Sequence, residues 1–80
     1  MEPPKLITML AQVPDNEATG RGCREWRVFH RAKLVAVAAF MEISAPMLHY
    51  LETGRKGWTQ DKVTLFLRAV KKAANRRERP

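Results

Sequence analysis

The chain has 80 residues, enough for one domain around one small core, and carries 15 basic against 8 acidic side chains for a formal charge of +7. A field of that sign favours a polyanionic partner (DNA, RNA or an anionic membrane), and at this length no separate effector-binding domain is expected. A single cysteine, Cys23, excludes an internal disulfide, and with His30 and His49 as the only histidines the sequence offers no metal-ligand pattern and no cofactor motif. The charge is also uneven. Residues 1 to 20 hold one basic and three acidic side chains, and the rest hold 14 basic and five acidic ones. There is no charged start followed by a long apolar run, so neither a secretory signal nor a membrane span is expected, and the reading is a cytoplasmic protein.

Pro3 and Pro4 open an N-terminal segment, and Lys5 to Val13 reads as a short helix with Leu6, Ile7, Met9, Leu10 and Val13 apolar, stopped at Pro14. Its apolar side either closes over the domain or meets the same segment of a second subunit. Asp15 to Gly22, with Gly20 and Gly22, reads as a polar turn region. On these grounds residues 1–22 form an N-terminal segment, 23–74 the domain and 75–80 a basic, frayed tail with no apolar content.

Arg24 to Arg31 is expected to be the first core helix, with Trp26 and Phe29 as an i, i+3 apolar pair and Arg24, Arg27 and Arg31 left for solvent or phosphate. No Gly, Pro or good N-cap separates Phe29 from Leu34, so one continuous helix fits the sequence as well as two. In Leu34 to Gly54 the apolar positions Leu34, Val37, Ala38 and Met41, then Ile43, then Leu48 and Leu51, follow a helical period on each side of Glu42-Ile43-Ser44. Each half is too short to stand alone in water, so the two must pack on each other. Ala38 permits a close, steep crossing, and Ile43 plugs the corner. Ser44 caps the second helix, Pro46 sits in its first turn, and Gly54 supplies the left-handed residue that ends it.

After the basic turn Arg55-Lys56-Gly57, Thr59 is a capping residue and Trp58 a candidate hydrophobic staple against Val63. Val63, Phe66, Leu67 and Val70 then recur at i, i+3, i+4 and i+7, which predicts a helix with one buried face. The sequence offers no persuasive strand, so the fold class is all-α. Trp26 and Trp58 read as core or staple residues rather than base-stacking platforms, and Cys23 as a small hydrophobe.

Ala38, Ile43, Leu48, Leu51, Glu52 and Gly54, with the basic Arg55-Lys56 and the later amphipathic helix, resemble the pattern of the phage repressor and Cro-like helix-turn-helix family over roughly residues 24 to 74. The resemblance implies a compact, lambda repressor-like bundle of four to five helices, with a break near Arg31 to Lys33 and a second motif helix that docks in the major groove. Two positions depart from the family. Glu42 stands where it usually has Gly, so the turn is either mildly strained or shaped differently. Leu34 stands where it commonly has Gln, so that side chain's anchoring to DNA is absent and Arg31 and Lys33 are the substitutes.

The function this implies is a sequence-specific double-stranded DNA-binding transcriptional regulator, a small repressor acting by operator occupancy, with a homodimer on a palindromic site and no enzymatic activity. Ser44, Ala45, Pro46, His49, Tyr50 and Thr53 are the base-facing candidates. His49 suits guanine N7 or O6, Tyr50 a phosphate, and Ala45 with Pro46 a thymine methyl. Arg31, Lys33, Arg55 and Lys56 are the phosphate candidates. Because the arc lacks Arg, Asn and Gln, sequence choice is expected to lean on apolar contact, water or DNA shape. The alternatives are a helical protein-interaction module, such as an antitoxin or adaptor with a protein partner, and an architectural DNA binder with little sequence choice.

Overall fold

The computed structural model describes residues 15–78, with side chains through Asn75. The expected Lys5 to Val13 helix lies outside the described residues. Four helices follow in order: α1 (Asn16–Phe29), α2 (Leu34–Phe40), α3 (Ala45–Glu52) and α4 (Gln60–Glu78). No strand occurs among the described residues, in keeping with the all-α expectation.

The expected polar turn from Asp15 to Gly22 is instead the first half of α1, so the boundary drawn after residue 22 falls inside a helix. The start signal is Asp15. Its carboxylate Oδ1 accepts the Ala18 N–H at 3.1 Å and satisfies a donor that an uncapped helix leaves open. The two glycines do not break the helix, and one of them is required by packing. A Cβ on Gly20 would lie 2.4 Å from the Leu51 carbonyl oxygen and 2.7 Å from that of Glu52. The backbone of α1 thus rests directly on the last turn of α3. At the other end α4 continues to Glu78, so the expected frayed tail is helical over most of its length. Ala73 and Ala74, then Arg76 and Arg77, are strong helix formers with no breaker before Pro80.

Three consecutive helices end in the same way. After α1 the N–H groups of Arg31 and Ala32 donate to the Val28 and Arg27 carbonyls. After α2 those of Glu42 and Ile43 donate to Ala39 and Ala38, and after α3 those of Gly54 and Arg55 donate to Leu51 and Tyr50. Each is the paired closure of a Schellman cap, and each needs a left-handed residue at its centre. Those residues are Arg31 (φ 56°), Glu42 (φ 60°) and Gly54 (φ 82°). The turn with Glu42 therefore keeps the left-handed shape and accepts the strain. The break between α1 and α2 falls at His30 to Lys33, where the resemblance put it.

The chain turns through 104° between the short helices α2 and α3. Ala38, 2% exposed, sits on the inner face of α2, and half-buried Ile43 packs against the core from the turn. Val37, Leu48, Leu51, Val63, Phe66 and Val70 are all buried, and Trp58 meets Phe66 edge-on with ring centroids 5.7 Å apart. Thr59 Oγ1 accepts the Lys62 N–H at 3.1 Å and so starts α4. Among the described residues no single helix is long and apolar enough to cross a membrane.

Candidate nucleic-acid interface

Leu48, Leu51 and Glu52 turn one side of α3 into the protein, and the other side is left to solvent. Pro46, His49, Tyr50 and Thr53 recur at i, i+3, i+4 and i+7, and all four are exposed, so they form one continuous stripe. Ala45 beside them is half-buried. Met47, 37% exposed, adds an apolar side chain that periodicity did not single out, because in sequence it sits between a helix-start proline and a core leucine.

Ser44 and Thr53 are partly committed. Ser44 Oγ accepts the Met47 N–H at 3.1 Å, which caps α3, and the Thr53 hydroxyl donates to the Tyr50 carbonyl at 3.2 Å. The His49 and Tyr50 rings lie 6.1 Å apart, tilted by 52°, and present two adjacent planar polar groups on the open face.

Arg55 and Lys56 are exposed and belong to the end of this helix by hydrogen bonding. Both of their backbone N–H groups donate to the Tyr50 carbonyl, at 2.9 and 3.3 Å. Arg31 and Lys33 occupy the separate link between α1 and α2, also exposed. Lys33 is the N-cap of α2 yet makes no side-chain cap, a place where a cation also opposes the helix dipole. Helix stability alone would select Ser or Asp there.

Arg27 is not available to phosphate, contrary to the expectation. Its Nε donates to Glu52 Oε2 at 2.7 Å, its Nη2 to Glu52 Oε1 at 3.0 Å, and its Nη1 to the Ala32 carbonyl at 3.1 Å. Its side chain is 13% exposed and that of Glu52 2%, so the forked pair is a largely buried bolt between α1 and the end of α3. The i, i+3 pattern of arginines on a solvent face concealed this, since nothing in sequence links Arg27 to Glu52 across 25 positions.

Cys23, fully buried on α1, has its thiol pushed well above the ordinary range, first by burial and then by the nearby Glu52 charge. It is held as a neutral thiol. Among the described residues no three His, Cys, Asp or Glu side chains group so as to hold a metal ion. Compared with protein-family models, curated proteins and solved structures, the chain matches none.

Proposed function

We propose that this chain is a sequence-specific double-stranded DNA-binding regulator in which α2 and α3 act as the helix-turn-helix of a phage repressor or Cro-like protein, and that it represses by occupying its operator. The observation that carries the reading is α3 itself: a Ser44-capped helix of eight residues with one side buried, the other open, and Arg55 and Lys56 bonded to its end. With its side chains an α-helix is about 10–12 Å across, which suits insertion into a major groove about 12 Å wide. Arg55 and Lys56 would then meet phosphates beside the groove, with Arg31 and Lys33 as a second phosphate contact from the opening of α2. The stripe contributes His49 as a donor to guanine and Pro46, Met47 and Ala45 as apolar surface for thymine methyls. A single module of this size reads only a few base pairs, so two subunits on a palindromic site are expected.

Selection from a random duplex pool followed by mobility shift over a salt series tests the reading. The selected sites should share a symmetric motif containing thymine and guanine. Arg55→Glu with Lys56→Glu should weaken binding to every duplex and flatten the slope of log affinity against log salt by about 2, because each phosphate contact contributes about 0.9. His49→Ala should instead change the preferred base at one position per half-site, a loss of about 1–3 kcal/mol of discrimination. Failure to bind any duplex at low salt refutes the proposal, and equal affinity for selected and random duplexes reduces the protein to an architectural binder.

A further inference from the structure

The turn carrying Arg55 and Lys56 is tied down at two points, and the second tie comes from the far end of the described chain. Its N-terminal side is fixed by the Tyr50 carbonyl, which accepts both cation backbones. Its C-terminal side is fixed at Trp58, whose backbone N–H donates to Asn16 Oδ1 at 2.9 Å, across 42 positions. The indole Nε1 of the same Trp58 donates to the Leu51 carbonyl at 2.7 Å, so α3, the turn and α1 converge on one spot. Gly54 closes the gap: a Cβ there would lie 2.8 Å from Cγ and 2.9 Å from Cα of Glu17. The first turn of α1 thus meets both ends of the segment from Gly54 to Trp58.

Asn16 has no role in starting α1, since Asp15 is its cap. Its amide oxygen reaches sideways to the turn instead. On the DNA-binding reading above, on which this inference rests, we infer that Asn16 is a positioning residue that holds the Arg55-Lys56 turn in the conformation that meets phosphate. It touches no DNA. It lowers the backbone entropy that a loose turn would otherwise lose on binding.

A double-mutant cycle read by DNA affinity tests the inference, with near-UV circular dichroism confirming the fold of each variant. Asn16→Ala should weaken binding to the selected duplex by roughly threefold to tenfold, the worth of one hydrogen bond, and leave the salt slope unchanged because no charge is lost. In the Arg55→Gln, Lys56→Gln background the same Asn16→Ala change should have less than about a twofold further effect, because the turn then has no phosphate contact to hold. A merely structural Asn16 would give the same factor in both backgrounds, and that result overturns the inference. So does full affinity in Asn16→Ala. If the two Gln substitutions leave affinity untouched, the turn is not a phosphate contact and the inference falls, while the DNA-binding reading stands on the wild-type shift. If wild type binds no DNA, both fall.

Discussion

Glu42 shows how one side chain records a conflict between local preference and the fold. Its φ of 60° is forced by the cap that ends α2, and a residue with a Cβ loses about 1–2 kcal/mol in that conformation. Glycine would remove the strain and give back part of the gain as unfolded-state entropy. Glu42→Gly should therefore raise stability by about 0.5–1 kcal/mol, seen as a higher urea midpoint at unchanged m. An unchanged or lower midpoint would mean that exposed Glu42 makes a compensating interaction. Gly54 is legible in the sequence as a left-handed position because it follows a helical run, whereas Glu42 is marked only by the resemblance, which leaves its turn either strained or shaped differently. Arg31 is not legible. A charged residue at φ 56° leaves no compositional trace, and only the closing hydrogen bonds reveal it.

Between elements, the joint between α1 and α3 sets the direction in which the exposed stripe points. It has two components, the backbone contact at Gly20 and the fork of Arg27 on Glu52. Breaking a buried ion pair from one side leaves an uncompensated charge, so Glu52→Leu alone should cost about 3–5 kcal/mol. Arg27→Met combined with Glu52→Leu should recover most of that loss in a denaturant titration, because two apolar side chains suit the site. A double variant as unstable as the single one would show that the Arg27 bond to the Ala32 carbonyl is the larger part. The α2 and α3 pair is readable because its apolar periods, its cap and its terminal glycine all lie within about twenty consecutive residues. The α1 joint is not, since a glycine that admits a crossing backbone and a glycine that makes a turn are the same letter. That ambiguity is why Asp15 to Gly22 reads as a turn, and why Asn16 carries no signal in the sequence at all.

At the scale of the whole molecule, the neutral Cys23 thiol couples stability to alkaline pH. Its folded-state pKa lies above its unfolded value, so the unfolded chain releases this proton first. The stabilising effect is complete below the ordinary thiol range and is lost as pH rises past it, at up to about 1.4 kcal/mol per pH unit. Thermal melts from pH 8 upward should show this decline, and Cys23→Ala, which keeps a small apolar side chain, should remove the cysteine part of it. A decline identical in both proteins would assign the effect to lysines instead.

The same architecture has a mechanical consequence. The first described turn of α1 is laced to the loop that precedes α4, through Asn16 and Trp58, and its second turn to the end of α3, through Gly20 and Leu51. Tension applied to the backbone at Asp15 is therefore carried by those two contacts before it reaches the face of α4 that holds Phe66 and Val70. A pull from that side therefore loads the loop at Trp58 and the end of α3 at Leu51 together.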